Sequence, residues 1–308
     1  MGCYTEETKD WLEDRYRKVT SEGIYIAHQN IYGFRDPNCD SYHMLKYINT
    51  YQIMRLLSHS KFDSLLDAGC AEGYTLAVAR ELFPVSKLMG CDISQQACLR
   101  TKEIFGITAK PSDIQHLPFE NEEFDVVLSS ETIEHISDFQ AAIIELLRVA
   151  KHAVIITVPR QSQDVIDKQI SNKVPHAHLH SFNESSFDFV QNEVKDILSS
   201  GQRSFLLDKL CKLVEAAPII NPMFPRFIKL IYKYIRPIIR CCTGTNTVAI
   251  LIKLDRLLCR LTNTNTQMIF VLLKNKKAYS HDIINSASLK EIIKFKVPYH
   301  YLKETNQC

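Results

Sequence analysis

None of the ten cysteines in this 308-residue chain forms a C-x-x-C pair, and the only adjacent two are Cys241 and Cys242. Neither a zinc framework nor a disulfide scaffold is indicated, and reduced thiols in a cytosolic setting are expected. No uninterrupted apolar run approaches the roughly 18 residues that a membrane-spanning helix needs. Residues 1–10 are polar and acidic where a secretory leader would be basic and then apolar, so no such leader is expected. Gly2 would suit N-terminal acylation, but Glu6 occupies the position where that motif wants Ser or Thr. Net charge is scarce as well. At +2 the whole-molecule field is too weak to draw nucleic acid, so any electrostatic argument must rest on local patches.

What is present is an ordinary globular composition, 45% hydrophobic and 23% charged, on a chain long enough to bury a sizeable core. Residues 1–60 mix charged and aromatic side chains. Within them Tyr42, Leu45, Tyr47, Ile48, Tyr51, Met54 and Leu57 recur mostly at three- and four-residue intervals, which predicts an amphipathic helix. Two readings of that helix stay open: packing on the domain behind it, or a lid over a ligand. The aromatic stretch 24–34 is compatible with a substrate cleft and equally with surface packing.

From Asp63 onward short apolar runs alternate with helical segments, the signature of βαβ units and a mostly parallel sheet. Strands are predicted at 64–68, 87–92, 107–110, 124–130 and 152–158, with helices near 72–83, 94–105 and 138–150 capped by Ser94 and Asp138. Continuous runs such as Val126-Val127-Leu128 and Val154-Ile155-Ile156 fit strands buried on both faces. Residues 159–182 read as a loop, 183–191 as a helix, 194–199 as a sixth strand and 267–273 as the last, with 282–295 helical. The roughly 65 residues between the last two strands are too many for a hairpin loop and predict a helical insertion. The expected fold is α/β: a Rossmann-like, doubly wound, seven-stranded sheet with that insertion before its final strand. The expected divisions are an N-terminal helical cap over 1–60, a core over 61–200 and 264–275, a basic insertion over 201–263 and an extension over 276–308.

The core is organised around Leu65-Leu66-Asp67-Ala68-Gly69-Cys70-Ala71-Glu72-Gly73-Tyr74, an apolar run ending in a carboxylate and two glycines four residues apart. Glycine at a strand-to-helix turn permits positive φ and close approach of a ligand to backbone amides. A dinucleotide fingerprint would need G-x-G-x-x-G, and Ala71 breaks it. Asp92 closes the second predicted strand 25 residues after Asp67, where an acid can accept hydrogen bonds from both hydroxyls of a ribose. Asp113 and Ile114 follow the third strand, where a carboxylate beside an apolar side chain can meet an adenine, with Pro118 and Phe119 bracing the turn.

These stretches in this order, followed by Ser129-Ser130-Glu131-Thr132-Ile133-Glu134-His135, resemble class I S-adenosylmethionine-dependent methyltransferases of the quinone-biosynthesis and related small-molecule type, the methyltransferase type 11 family. The resemblance spans roughly 60–200 and 265–275. It implies S-adenosylmethionine as cofactor, its methionine part cradled by Asp67, Gly69, Cys70 and Gly73. Asp92 with Ile93 would hold the ribose and Asp113 with Ile114 the adenine, while Ser130 and Glu131 would reach the cofactor from the other side.

Methyl transfer from a sulfonium gains much of its rate from alignment, and some acceptors also need a base. His135 is the candidate, since neutral imidazole suits removal of a hydroxyl proton; capping or bracing the next helix is the competing role. His176, His178 and His180 alternate, so an extended backbone would put all three on one side. No carboxylate or cysteine recurs nearby at ligand spacing, so no metal is expected there. The resemblance places this stretch beside the acceptor pocket, which makes the three histidines candidate substrate contacts.

The insertion carries Arg226, Lys229, Lys233, Arg236 and Arg240 at steps of three and four, then Lys253, Arg256 and Arg260, against the single acid Asp255 between 222 and 260. A basic amphipathic helix of this kind can lie on an anionic membrane, each cation near the surface adding about 1 kcal/mol. It can also pack on the domain with a solvated face. The reading is a cytoplasmic methyltransferase acting on a small-molecule or lipid-linked acceptor, with peripheral membrane contact through 222–260. Methylation of RNA or protein, and a non-catalytic cofactor-binding regulatory module, are the alternatives; the small net charge weighs against nucleic acid.

Overall fold

The computed structural model describes residues 2–19, 40–202, 253–259, 261, 267–280, 282 and 287–295. The stretch 24–34 and the basic run 226–240 lie outside them. Of the second basic run, Lys253 and Arg256 fall in a described helical segment, 253–259, where the Arg256 guanidinium lies 5.3 Å from the centre of the Tyr51 ring.

Seven strands form one sheet: β1 (Ser64–Ala68), β2 (Lys87–Asp92), β3 (Ala109–Pro111), β4 (Phe124–Ser130), β5 (Ala150–Pro159), β6 (Asp196–Gln202) and β7 (Gln267–Leu273). Their spatial order is β3-β2-β1-β4-β5-β7-β6, with β7 antiparallel to both neighbours and the other pairs parallel. The order reverses between β1 and β4, and that switch point is where open α/β sheets leave a crevice beyond the strands' carboxyl ends.

The helices are α1 (Gly2–Arg17), α2 (Asp40–Leu57), α3 (Tyr74–Leu82), α4 (Gln95–Phe105), α5 (Phe139–Val149), α6 (Gln163–Ser171) and α7 (Leu289–Lys294). Period-two alternation divides the strands' apolar residues between two cores. Leu65, Val126, Leu128, Ile155 and Val271 point to one face, packed under α2, α3, α7 and the end of α4; Leu66, Val127, Val154, Ile156 and Phe270 point to the other, under α5 and the 182–190 turns. The caps form where the residue types call for them: Ser94 Oγ accepts from Ala97 N–H at 3.1 Å and an Asp138 carboxylate oxygen from Ala141 N–H at 3.0 Å.

One open reading closes and three expectations need correction. The amphipathic helix of residues 42–57 exists as α2, and Tyr47, Ile48, Met54 and Leu57 are buried in the first core, so its described side chains pack on the domain. The cover over the pocket described below comes from α1, which sequence reading did not single out. Residues 183–191 are turns with a single 3-10 turn at Asp188–Val190, because Asn183 folds the backbone onto its own carboxamide by accepting from Ser185 N–H at 3.0 Å. Helix α6 stands where a loop was expected, and among the described residues the helix after 282 is α7, which a Ser288–Glu291 capping box starts.

Candidate active site

The turn from β1 into α3 is left-handed at three residues: Gly69 (φ 87°), Ala71 (φ 50°) and Gly73 (φ 79°). A β-carbon on Gly69 would fall 2.2 Å from Thr132 Oγ1, and one on Gly73 2.5 Å from Thr101 Cγ2, so both positions exclude any side chain. Ala71 carries its Cβ in the same conformation at a cost of roughly 1–2 kcal/mol. Two bonds hold it there: its N–H donates to Asp92 Oδ2 at 2.9 Å and its carbonyl accepts from Thr101 Oγ1 at 2.9 Å. Gly69 and Cys70 N–H both donate to the Cys91 carbonyl, at 2.8 and 3.0 Å, which fastens the turn to the end of β2.

Asp92 is thereby part of the turn. Its second oxygen accepts from Ser94 N–H at 2.9 Å, and the Ile93 amide also bonds the carboxylate. Burial pushes its carboxyl up to about 6, against the downward pull of the Ser94 and Ala71 amides. Asp113 accepts from Gln115 N–H at 2.9 Å in a local turn, next to buried Ile114. Phe119 is buried edge-on against Phe124, 5.1 Å between centres, and closes the far side of that turn.

At the end of β4, Glu131 is held at φ 54°. The Thr157 hydroxyl donates to Glu131 Oε1 at 3.1 Å, Gln267 Nε2 donates to the same oxygen at 2.5 Å, and Ser130 Oγ lies 2.8 Å from Thr157 Oγ1. With its one proton given to Glu131, Thr157 must accept from Ser130. Glu134 is 1% exposed; its Oε1 stands 3.9 Å from His135 Nε2, and its Oε2 has no hydrogen-bond partner among the described residues. Burial, then the neighbouring Glu131 charge, raises its carboxyl well above the usual range.

His135 Nδ1 lies 3.1 Å from the Ala177 carbonyl, which can only accept, so the proton is on Nδ1. Burial first, then the imidazoles of His176 and His178, push His135 down to about 2, so the ring is neutral. His176 stacks on it with ring centres 3.5 Å apart and Trp11 of α1 stacks on His176 at 5.4 Å, while His178 meets His135 edge-on at 4.8 Å.

These groups line a cavity of about 300 Å³, with Gly69, Ala71, Asp92, Ile93, Asp113, Ile114, Ser130, Glu131, Glu134, His135, His176 and His178 in its wall and Thr8, Leu12 and Tyr16 of α1 over it. Helix α1 is fastened by Glu13, whose carboxylate accepts from Gln95 and Gln96 N–H at 2.6 and 3.2 Å, filling free donors at the start of α4. Arg100 on α4 adds a fully buried ion pair with Glu72 and donates to the Lys18 carbonyl at 2.8 Å.

The sequence-derived candidates divide accordingly. Asp67, Cys70 and Gly73 do not line the cavity; all three belong to the strand end and the turn, and burial keeps the Cys70 thiol protonated. The extended, one-sided arrangement expected for the loop histidines does not form. His176 is left-handed (φ 56°), which turns His176 and His178 toward His135, while His180 leaves the cavity to donate from Nε2 to the Ile136 carbonyl at 2.7 Å and pack on Phe139. Sequence reading missed Trp11, Leu12, Tyr16, Glu13 and the buried position of Glu134. The only signal in α1 was Leu12 and Tyr16 four residues apart, too few apolar positions to mark a helix face.

Residues 66–158 match the family model described as a methyltransferase domain. Among curated proteins the chain is 28% identical over 139 residues to an uncharacterised methyltransferase of Schizosaccharomyces pombe, covering 41% of this chain and 45% of that one. It is 34% identical over 101 residues to a malonyl-[acyl-carrier protein] O-methyltransferase of Herminiimonas arsenicoxydans (33% and 38%) and 26% identical over 153 residues to a demethylmenaquinone methyltransferase of Staphylococcus saprophyticus (47% and 65%). The chain thus spans less than two thirds of the length of these relatives. A geranyl diphosphate C-methyltransferase from Streptomyces coelicolor superposes with a TM-score of 0.52 at 14% identity, covering 88% of this chain and 98% of that one, a likeness of fold alone.

Proposed function

We propose that this chain, which carries a class I S-adenosylmethionine-dependent methyltransferase domain, is an enzyme that moves the methyl group of S-adenosylmethionine to a small-molecule or lipid-linked acceptor. One observation carries the reading: the Gly69–Ala71 turn, Asp92 and Asp113 share a single cavity with Ser130, Glu131 and His135. The donor set suits the cofactor. Asp92 presents a carboxylate to the hydroxyls of a ribose, and Asp113 beside Ile114 offers an acceptor and an apolar surface for an adenine. Gly69, packed against Thr132, lets the β1 turn bring its backbone to the cavity wall, where the methionine part would lie. Asp67, Cys70 and Gly73 serve that end by shaping the turn.

When bound, the cofactor supplies an electrophilic methyl on a sulfonium. The chain's part is to bind, orient and exclude water, with α1 closing the cavity from above. His135, with its pKa held near 2, takes up a proton poorly at neutral pH; it borders the acceptor's space and helps to position it. His176 and His178 border the same space. The 201–263 insertion, basic between 222 and 260, is the element we assign to the acceptor, and it favours one presented at an anionic membrane surface. Among the described residues no helix is long and apolar enough to cross a membrane.

Titration calorimetry with S-adenosylhomocysteine is expected to show one site per chain, and labelled methyl donor to be turned over in an extract containing the acceptor. Absence of binding at millimolar ligand ends the proposal; binding without turnover in any extract leaves a regulatory module. Sedimentation with anionic vesicles at low salt, lost at high salt, selects the lipid-linked acceptor over the free small molecule.

A further inference from the structure

We propose that Glu134, His135 and His178 form a binding site for a divalent cation at the acceptor side of the cavity, which deepens the methyltransferase reading and rests on it for the role of the ion. One ligand atom from each residue lies within 4.8 Å of the others. Metal–ligand bonds of about 2.0–2.2 Å would set those atoms roughly 3–4 Å apart, so the three converge by about an ångström on binding.

The proton positions point to the same use. His135 gives its Nδ1 proton to the Ala177 carbonyl at 3.1 Å, and His178 Nδ1 lies 2.7 Å from Gln161 Oε1. Each ring is thereby held in the tautomer whose Nε2 is an unprotonated donor, the arrangement that metal-bound histidines share. Opposite them stands a carboxylate with 1% exposure and an unpartnered oxygen. Four acids, Asp92, Asp113, Glu131 and Glu134, line the cavity, and among the described residues no Lys or Arg does. A cation bound by all three ligands satisfies the orphan oxygen and the two ring nitrogens together.

Two imidazoles and one carboxylate suit first-row divalent ions such as Mn²⁺ or Zn²⁺. Three protein ligands leave coordination positions open, and they face the space we assign to the acceptor. The site therefore selects an acceptor that offers an oxygen donor, a hydroxyl or a carboxylate, over a purely apolar one. No spacing rule exposes this set: the carboxylate and His178 are 44 residues apart (178 minus 134), and the paired histidine of the 176–180 run that sequence would add, His180, faces elsewhere.

The test is Mn²⁺ added to metal-stripped, full-length protein and followed by electron paramagnetic resonance, with S-adenosylhomocysteine binding measured on the same samples. Wild type is expected to take up one Mn²⁺ per chain, and Glu134→Gln and His178→Gln to weaken uptake at least tenfold while still binding S-adenosylhomocysteine. His178 is only half-buried, so that variant keeps the test readable if the Glu134 variant fails to fold. Failure of wild type to bind Mn²⁺ or Zn²⁺, or unchanged uptake in His178→Gln, overturns the site. Uptake of Mn²⁺ that responds to these variants in a protein that does not bind S-adenosylhomocysteine keeps the cation site and removes the methyl-donor reading.

Discussion

The two walls of the cavity are built in opposite ways. On the β1–β2–β3 side the groups are set by backbone amides of the strand-end turns: the Ala71 amide of the β1 turn and the Ser94 amide hold Asp92, and Gln115 two residues on holds Asp113. On the β4 side nothing is local. Glu131 is positioned by Thr157 and by Gln267, 136 residues away, His135 by the 177 carbonyl, and His176 by Trp11 of α1. The first wall can change only if a backbone turn changes, whereas the second can be re-equipped by altering distant segments. A scaffold that keeps one donor while accepting varied acceptors needs that asymmetry.

Breaking the point where the walls touch gives the largest expected effect. Gly69→Ala places a β-carbon against Thr132 and forces a left-handed alanine, so thermal or denaturant unfolding should show a loss of about 3 kcal/mol, and Thr132→Ala in the same chain should recover part of it. Equal losses in single and double variants would mean that the walls are not coupled there. Next comes Asp92→Asn, which should weaken S-adenosylhomocysteine binding by about 1.5–3 kcal/mol, a factor of roughly ten to a hundred or more, and leave Mn²⁺ uptake unchanged.

The same residue sharpens the contrast through pH. Its folded pKa of about 6 lies above the ordinary carboxylate value of 3.8, so burial favours the protonated form and its stabilising contribution is full below about 4 and lost as pH rises through 6. Hydroxyl donors favour the ionised form, so ligand affinity should fall as pH drops below about 6. The difference between wild type and Asp92→Asn, by calorimetry across pH 4 to 8, isolates both effects; parallel profiles would contradict them. The smallest effect is expected from Trp11→Ala, which unstacks His176: about 1 kcal/mol of stability and a raised KM for the acceptor, with donor affinity kept. A change confined to donor affinity would put α1 on the wrong wall.

Legibility follows the same division. Strands β1, β2, β4 and β7 are readable to the residue, β4 and β7 because an apolar run in each is buried by both cores, and Ser94 and Asp138 announce their helices through short-range hydrogen bonds. Ala71 reads as a lapse from a glycine pattern, yet it occupies the left-handed position that explains why glycine is favoured there. Asp113 and Ile114 could be found because an Asx turn needs only its next two residues. His180 could not be separated from His176 and His178, since one left-handed residue in the loop decides which rings face inward.

By itself the sequence determined the alternating α/β order and the acids of the donor wall, because periodicity, capping and tight turns are interactions among residues a few positions apart. Only the tertiary structure decided that α1, and not α2, covers the cavity, that His180 turns away, and that Glu134 meets His135 and His178 with an oxygen unpaired. Those outcomes depend on burial and on contacts across 40 to 140 residues of chain, and no local pattern carries that information.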